Sequence, residues 1–270
     1  MNILILGAEG VIGKCLTKYL SNYFNVIPWD IKLSKDHDLR KEGCIDNVLK
    51  TVDFVVFLAF DVGGSKYDVN NKEFLDNNMK LILYTFDSLS KNPKPFIYTT
   101  SQMSNMITNP YGSLKNISEY YVTFLNGVNL KLWNVYGEES VNEKSHVITD
   151  FINSAVNDNV IKMLSYGSDE RQFLHVDDFS KAIKIIIDNY NVYIGKNIDI
   201  SSYEWVSIFE VAEIIKDVCY DCNLHIKIER GPVYDNHTIR NEPSRSILND
   251  MWRTECQLKC KIAEMVKQKI

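Results

Sequence analysis

The sequence predicts an α/β protein with a doubly wound parallel sheet and a second, smaller α/β lobe at its C-terminal end. Short apolar runs rich in β-branched residues alternate with longer segments of helical periodicity through the first half of the chain. This alternation is typical of strand–helix–strand crossovers in a parallel sheet. The apolar runs show no polar alternation, which indicates strands buried on both faces. After Tyr136 this rhythm is lost, so the sheet belongs mainly to the first half.

Each element of the first half follows from a local signal. The opening run, residues 2–6, is apolar and stops at Gly7, so it predicts a buried strand followed by a turn. Pro93 and Pro95 end one helix immediately before the next strand. The other predicted strands are 25–29, 52–60, 96–100 and 129–133, and the predicted helices are 11–20, 74–89 and 111–125.

The second half is predicted to be mainly helical and to bind the substrate. Open α/β sheets bind ligands at the carboxyl ends of their strands, so we expect this lobe to cap that edge of the sheet. Residues 1–135, rejoined by part of 170–200, are expected to form the first domain, and residues 136–270 mainly the second lobe. The predicted helices here are 146–157, 178–190, 206–219 and 254–270.

The composition excludes several classes of protein. The chain has 270 residues, of which 45% are hydrophobic and 24% charged, as in an ordinary globular protein. With 30 basic and 35 acidic residues the net charge is −5, so no basic excess favours nucleic acid as a partner. No apolar run approaches the roughly 20 residues of a membrane span. No signal peptide precedes the first strand, so we expect a cytoplasmic location and no membrane partner.

The six cysteines do not by themselves predict a metal centre. Cys219 and Cys222 form a C-x-x-C pair, and Cys256 and Cys260 form a C-x-x-x-C pair. Four thiols at a zinc ion are therefore an alternative, but buried free thiols in a reducing compartment are the favoured interpretation. The pair Asp177–Asp178 is expected to cap the following helix rather than to bind a metal.

A glycine motif directly after the first strand predicts a dinucleotide-binding (Rossmann) site. Residues 7–13 read Gly-Ala-Glu-Gly-Val-Ile-Gly between a strand and a helix. Gly7 permits the tight turn, Gly10 lets the backbone approach a pyrophosphate, and Gly13 lets helix and strand pack closely. The phosphates would then meet free N–H groups at the helix N-terminus. A glycine turn without a ligand is the alternative.

Asp30, at the end of the second predicted strand, favours NAD over NADP. A carboxylate at this place accepts hydrogen bonds from the ribose hydroxyls of the adenosine and repels a 2′-phosphate. Lys32 is a nearby cation and leaves tolerance of that phosphate open. The alternative for Asp30 is a solvated turn residue.

Tyr111 and Lys115 lie four residues apart in a predicted helix and therefore share one face. An ammonium near a phenol lowers the pKa of the phenol. The phenol can then exchange a proton with a sugar or alcohol hydroxyl while hydride moves to or from a nicotinamide. Ser101, just after the strand 96–100, would hold the reacting oxygen, with a simple turn serine as the alternative.

Taken together, these motifs resemble the extended short-chain dehydrogenases/reductases, and among them the NAD-dependent epimerase/dehydratase family that modifies nucleotide sugars. The resemblance covers residues 1–215 and rests on the glycine motif, Asp30, Leu58-Ala59-Phe60, Thr99-Thr100-Ser101, Tyr111 with Lys115, Asn134-Val135-Tyr136-Gly137 and Arg171-Gln172-Phe173-Leu174-His175-Val176-Asp177-Asp178. The segments that resemble the branch of GDP-fucose synthase and GDP-mannose 3,5-epimerase are Asp61-Val62-Gly63-Gly64, Phe74, Asn78-Met79 and Ser145-His146-Val147-Ile148.

The resemblance implies a set of site residues. It makes His146 a candidate catalytic acid or a residue that orients the sugar, and it makes Asn134 and Arg171 diphosphate contacts, with a structural salt bridge as the alternative for Arg171. The implied cofactor contacts are Gly7, Gly10, Val11, Ile12, Gly13, Asp30, Asp38, Leu39, Leu58, Ala59, Phe60, Asn78, Thr99, Tyr111 and Lys115. The implied substrate contacts are Gly63, Gly64, Ser101, Gln102, Met103, Asn134, His146 and Arg171.

Two residues after Ser101 depart from the resemblance. In the 4,6-dehydratases an Asp-Glu pair follows the hydroxyl residue, and in the epimerase branch a cysteine stands two residues after the serine. This chain has Gln102 and Met103 there, and neither side chain can act as a general acid or base. The site therefore keeps the residues for oxidation and reduction at C4 and lacks the added acid–base groups.

The resulting hypothesis is a NAD-dependent oxidoreductase or epimerase acting at C4 of a nucleotide-activated sugar, with a GDP-sugar favoured, that supplies polysaccharide synthesis. The alternatives are a 4-ketoreductase, a 3,5-epimerase that uses His146, and a catalytically silent NAD-binding regulator. By the same resemblance, Tyr120, Tyr121 and Phe124 on helix 111–125 predict a homodimer, unless these aromatic rings pack inside one subunit.

Overall fold

A computed structural model describes residues 1–62, 70–142, 144–232, 241–244, 248 and 251–270. The strands in these ranges are β1 (Asn2–Leu6), β2 (Asn25–Trp29), β3 (Phe54–Phe57), β4 (Phe96–Ser101), β5 (Val128–Leu132), β6 (Asn134–Tyr136), β7 (Val160–Lys162), β8 (Glu170–Arg171), β9 (Phe173–His175), β10 (Asn197–Ile200), β11 (Val206–Ser207) and β12 (Lys227–Glu229). The α-helices are α1 (Val11–Leu20), α2 (Asp46–Leu49), α3 (Lys72–Lys91), α4 (Pro110–Phe124), α5 (Val147–Asp158), α6 (Val176–Asp188), α7 (Tyr190–Tyr193), α8 (Ile208–Asp221) and α9 (Leu258–Lys267).

The main sheet has six parallel strands in the order β2-β1-β3-β4-β5-β10. Strands β2 and β3 flank β1 on opposite sides, so the chain reverses its winding direction there. In open α/β sheets a crevice opens at such a switch point, outside the carboxyl ends of the strands. The carboxyl end of β1 therefore marks the expected ligand site, and the predicted doubly wound parallel fold is confirmed.

The alternation of side chains along β1 builds two cores, one on each face of the sheet. Ile3 and Ile5 belong to a core with residues of α1 and α6, whereas Leu4 and Leu6 belong to a core with residues of α3 and α4. All four side chains are fully buried, which explains why residues 3–6 of the strand are all apolar.

The second lobe has a separate core between α5, α8 and α9, to which Ile152, Ile215 and Ile262 belong. The lobe also contains β7 paired with β12 and β8 paired with β11. The chain returns to the first sheet between 176 and 200, where α6 packs on α1 and β10 pairs with β5. None of the helices in the described ranges combines the length and the apolar content needed to cross a membrane.

Three details differ from the predicted elements. The predicted strand 52–60 is shorter, because the backbone N–H groups of Leu58 and Ala59 both bond to the carbonyl of Leu6 and turn the chain out of the sheet. Strand β10 was not predicted, since its four residues alternate polar and apolar side chains. The short strands β6 to β9, β11 and β12 have two or three residues each, too few to show a period.

The prediction that Asp177–Asp178 caps α6 is wrong. The ring Nδ1 of His175 accepts the backbone N–H of Asp177 at 3.3 Å and so caps the helix. Asp178 is fully buried, and its Oδ2 accepts the backbone N–H groups of Glu255 and Cys256 at 3.0 and 2.9 Å. The aspartate therefore attaches the C-terminal segment to α6, a contact between residues far apart in the sequence.

Candidate active site

The glycine turn between β1 and α1 leaves room for a ligand at one glycine only. A Cβ at Gly13 would lie 2.1 Å from the carbonyl oxygen of Gly7, and a Cβ at Gly7, whose φ is +90°, would lie 2.7 Å from the backbone nitrogen of Ala59. At Gly10 the nearest atom would be 3.4 Å away. No side chain caps the N-terminus of α1, so this cradle fits the pyrophosphate of a dinucleotide.

Asp30 lies next to this turn, at the carboxyl end of β2. Its Oδ2 accepts the backbone N–H of Glu9 at 3.0 Å, and its Oδ1 accepts that of Lys32 at 2.9 Å. The ammonium of Lys32 donates to the carbonyl of Glu9 at 3.4 Å. The carboxylate is thus held beside the turn, and each of its oxygens keeps a lone pair for a ribose hydroxyl.

Two other expected cofactor contacts have internal partners. Asp38 forms an ion pair with Arg40, with 2.8 Å between Oδ1 and Nε, and the guanidinium holds the pKa of Asp38 below its usual value. Leu39 is only 7% exposed and packs in the core of α3 and α4. The cofactor contacts of both residues stay predictions.

Ser101 and Tyr111 are brought together at the end of β4. The Ser101 side chain lies close enough to the Tyr111 hydroxyl to lower the pKa of that phenol, and Ser101 Oγ accepts the backbone N–H of Met103 at 3.1 Å. Asn109 caps α4 by accepting the N–H of Tyr111 at 2.9 Å, and this bond fixes the first turn of the helix. Gln102 and Met103 follow in a half-buried 3₁₀ turn.

Phe60 links this pair to the glycine turn. Its ring is perpendicular to that of Tyr111, with 5.4 Å between the centroids, and Ala59 directly before it contacts Gly7. Asn78, expected to contact the cofactor, is fully buried and holds both backbone groups of Asp61 at 2.8 and 3.1 Å. Its amide therefore shapes the loop that follows Phe60. Gly63 and Gly64 lie outside the described residues.

Lys115 shares the helical face of Tyr111, but its ammonium points toward Tyr98 and Thr99 on β4. Its Nζ donates to the carbonyl of Thr99 at 2.8 Å and to the hydroxyl of Tyr98 at 3.3 Å, and it lies 3.9 Å from the centroid of the Phe60 ring. The residue is 3% exposed, and burial lowers the pKa of Lys115 to about 7, although Glu119 opposes this shift.

The prediction that Lys115 lowers the pKa of Tyr111 is wrong for this structure. Burial raises the pKa of Tyr111, and only the hydrogen bond from Ser101 acts in the opposite direction. The ammonium of Lys115 points toward the carbonyl of Thr99 because a cation removed from water requires a strong hydrogen-bond acceptor. No feature of the sequence indicated that this carbonyl would be its partner.

The expected substrate residues of the second lobe have defined partners. Arg171 donates to Asp169 Oδ2 at 2.8 Å and to the carbonyl of Glu170 at 2.7 Å, and its contact with a diphosphate stays a prediction. Asn134 is half-buried on β6, where it pairs with Phe173 on β9. The ring Nδ1 of His146 lies 2.8 Å from Glu139 Oε1, a partner that no sequence signal indicated.

Among the described residues, the thiols of Cys219, Cys222, Cys256 and Cys260 do not form a common cluster. The group of three possible metal ligands found in this part of the chain is instead His175, Asp177 and Cys256, with ligand atoms within 4.8 Å of one another. Burial raises the pKa of Cys256 to about 11, and Lys261 is paired with Asp177 at 3.1 Å. These contacts attach the segment before α9 to the start of α6.

Comparisons with known proteins agree with this fold. A dTDP-D-glucose 4,6-dehydratase from Dictyostelium discoideum is 26% identical over 262 residues; the match covers 75% of this chain, and the chain spans 60% of the length of that relative. A GDP-mannoheptose C4 reductase from Campylobacter jejuni with NADP bound is 16% identical, with a TM-score of 0.81 over 99% of this chain and 98% of that chain. A UDP-glucose 4-epimerase from Thermotoga maritima, with UDP-glucose, has the same identity, TM-score and coverage.

The family comparison is the most specific of these findings. The sequence profile of the NAD dependent epimerase/dehydratase family matches residues 3–200. This range includes the glycine turn, Asp30, the Ser101–Tyr111 pair and Lys115, so the match and the geometry refer to the same site. The resemblance drawn from the motifs is confirmed, the cofactor is a nicotinamide adenine dinucleotide, and the chain belongs to the NAD dependent epimerase/dehydratase family.

Proposed function

We propose that this protein is a NAD-dependent oxidoreductase or epimerase that acts at C4 of a nucleotide-activated sugar, with Tyr111 as the acid/base. The observation that carries this proposal is that Ser101, Tyr111 and Lys115 lie together at the end of β4. Ser101 and Tyr111 lie at the carboxyl edge of the sheet, and the contacts of Phe60 and Ala59 connect them to the glycine turn.

The chain's own residues supply the proton chemistry. Tyr111 Oη takes the proton of the C4 hydroxyl and returns it to the C4 oxygen, and Ser101 Oγ holds that oxygen beside the phenol. A bound nicotinamide supplies hydride acceptance and return. Because burial raises the pKa of Tyr111, its phenolate needs a compensating charge. Lys115, with Nζ 5.8 Å from the centroid of the Tyr111 ring, can supply that charge.

Asp30 supports NAD as the cofactor form. Its carboxylate beside the glycine turn would repel a 2′-phosphate. The C4 reductase of the same fold holds NADP, and Lys32 lies close to Glu9. Net reduction of a 4-keto sugar is therefore the second candidate. A 3,5-epimerase is less well supported, because Met103 cannot serve as its base, and a silent regulator would not need Ser101, Tyr111 and Lys115 together.

We also propose that the protein is a homodimer. The exposed apolar side chains of α3 and α4 lie on two helices that pack against each other. On α4 these include Tyr120, 62% exposed, and Phe124, 79% exposed, whereas Tyr121 stacks on Phe86 within the subunit. A patch of this kind on a soluble protein is typical of an association surface.

The test of the C4 chemistry uses purified protein with NAD and, separately, GDP-, UDP-, dTDP- and CDP-hexoses. NADH absorbance and product stereochemistry are followed for the wild type and for Tyr111→Phe. We expect sugar-dependent turnover in the wild type, with GDP-sugars examined first because the C4 reductase is named for one. Tyr111→Phe should lose about 10²-fold or more of the turnover, since it removes the general acid/base.

The control is Tyr220→Phe, an exposed tyrosine on α8, which should behave as the wild type. Tyr220→Phe should leave NAD affinity unchanged, Tyr111→Phe should still bind NAD, and NAD should bind more tightly than NADP. Full turnover by Tyr111→Phe would contradict the proposed mechanism. Faster turnover of 4-keto sugars with NADPH would favour the reductase instead.

A further inference from the structure

Glu139 and His146 form a carboxylate–imidazole pair at the start of α5. One carboxylate oxygen, Oε2, accepts the backbone N–H of His146 at 2.9 Å, and the other, Oε1, lies 2.8 Å from the ring Nδ1 of the same residue. The Glu139 side chain is 8% exposed, whereas that of His146 is 46% exposed. The two contacts with the same residue fix the ring relative to the carboxylate.

The segment that carries the pair reaches the sheet edge where Tyr111 lies. Lys144, two residues before His146, forms an ion pair with Asp61, with 2.5 Å between Nζ and Oδ1. Asp61 directly follows Phe60, whose ring contacts Tyr111. These contacts connect the segment before α5 to the residue that directly follows Phe60.

The charged groups around His146 both raise the pKa of its ring. Glu139 and, from the first turn of α5, Asp150 both favour the protonated ring, and burial opposes them. Asp150 is itself hydrogen-bonded to Ser145. The balance raises the pKa of His146 above its usual value. The Nδ1 edge faces the carboxylate, so Nε2 is on the opposite edge of a half-exposed ring.

We propose that Glu139 is a positioning residue for His146: it fixes the ring with Nδ1–H toward the carboxylate and presents Nε2–H, as a cationic donor, to an oxygen of the bound sugar nucleotide. Only the identity of this ligand rests on the proposed function. A protonated ring donates to a sugar hydroxyl or a phosphate oxygen more strongly than a neutral donor does, so the pair would orient the substrate above Tyr111.

A purely structural role is the competing explanation, because Glu139 also satisfies backbone N–H at the N-terminus of α5. The two roles differ in what they do to the imidazole. A helix cap needs only an acceptor, and a glutamine side chain supplies one. A positioning carboxylate must also stabilise the positive charge of the ring, which a neutral glutamine cannot do.

The experiment is an NMR titration of the ligand-free protein with ¹⁵N- and ¹³C-labelled histidine. His146→Gln identifies the His146 signals among those of the five histidines. In Glu139→Gln the pKa of His146 should fall by about one unit or more, since a buried opposite charge is removed. Glu138→Gln, which changes an exposed neighbour, should leave it in place. An equal His146 pKa in the wild type and in Glu139→Gln would overturn the proposal.

Two further measurements complete the test. If Glu139→Gln does not fold, the tautomer of the wild type decides, since the Nδ1–H form is expected above the pKa and the Nε2–H form would contradict the pairing. The second measurement uses added ligand. With NAD and GDP-mannose or UDP-glucose present, the His146 signals should shift, and Glu139→Gln should bind the sugar nucleotide several-fold more weakly. An unchanged signal at saturation would overturn the contact to substrate. A lowered His146 pKa without sugar-dependent redox chemistry would contradict only the C4 function.

Discussion

Tyr111 and Lys115 are both buried, and burial shifts the pKa of each toward the neutral form of its side chain. The ammonium of Lys115 is held by the carbonyl of Thr99, the hydroxyl of Tyr98 and the face of Phe60. Tyr111 is held by Ser101. Burial therefore disfavours the charged form of both groups, and the positive charge of Lys115 can offset the cost of forming the Tyr111 phenolate.

At the residue scale, Gly13 and Gly10 of the turn should respond differently to alanine. Gly13→Ala places a methyl group 2.1 Å from the carbonyl oxygen of Gly7, so we expect it to lower the free energy of unfolding by about 3 kcal/mol. Gly10→Ala meets its nearest atom at 3.4 Å and should cost about 1 kcal/mol or less. Urea unfolding measures both.

The Gly10→Ala variant provides the matched control because it separates stability from binding. Its methyl group would occupy the cradle expected to take the pyrophosphate, so its NAD affinity should fall by about tenfold or more. Calorimetric titration with NAD measures this. A stable Gly10→Ala protein that binds NAD as tightly as the wild type would contradict this cradle as the cofactor site.

At the scale of elements, the helix N-termini separate into two groups. Asn71 caps α3, Asn109 caps α4, and Ser207 caps α8 through a reciprocal pair of bonds with Glu210. Helices α1 and α5 have no cap from the side chain of their own N-cap residue. The end of α1 is open toward the predicted phosphate site, and the end of α5 is satisfied by Glu139 from the preceding segment.

The pair at the start of α5 makes stability depend on pH. The pKa of His146 is raised in the folded protein, so its stabilisation is complete below the unfolded pKa of about 6.5 and is lost as the pH rises through the folded pKa. The pKa of Glu139 is lowered, so its contribution is lost as the pH falls through that lower value. Glu139→Gln should therefore reduce the free energy of unfolding more at about pH 6 than at about pH 9.

Urea unfolding of the wild type and of Glu139→Gln at both pH values checks this expectation, with Glu138→Gln as the control. The remaining difference at high pH measures the helix-capping part of the interaction. An equal loss at both pH values would mean that Glu139 acts on α5 only as a cap.

At the scale of the whole molecule, exposed apolar side chains on α3 and α4 distinguish one surface from the rest. They are Leu75, Met79 and Leu83 on α3 and Ile117, Tyr120, Tyr121 and Phe124 on α4. These two helices cover one face of the sheet, opposite α1 and α6. A two-fold axis through such a surface would bring the same residues of two subunits together.

Phe124→Glu is expected to convert the proposed dimer to a monomer, because it replaces the most exposed apolar side chain of this surface with a charge. Light scattering at low micromolar concentration measures the mass. Val192→Glu, at a residue of α7 that is 56% exposed, should leave the dimer intact. A wild-type protein that is monomeric under these conditions would contradict the proposal directly.

Local sequence patterns were sufficient for the main sheet and for the core of the site. The apolar runs of β1 and β2, the glycine turn, and the four-residue spacing of Tyr111 and Lys115 are properties of neighbouring residues, and periodicity and steric rules act on neighbours. Ser101 could be placed for the same reason, since it ends a strand that the sequence predicts.

Only the tertiary structure decided how the buried polar groups are paired. The ammonium of Lys115 bonds to Thr99, Asn78 holds Asp61, Asp178 holds the segment before α9, and Glu139 holds His146. Each of these contacts satisfies a polar group that folding removes from water, and the partner is whichever acceptor or donor the packed chain brings within about 3 Å. That choice depends on distances through space, which periodicity along the chain does not contain.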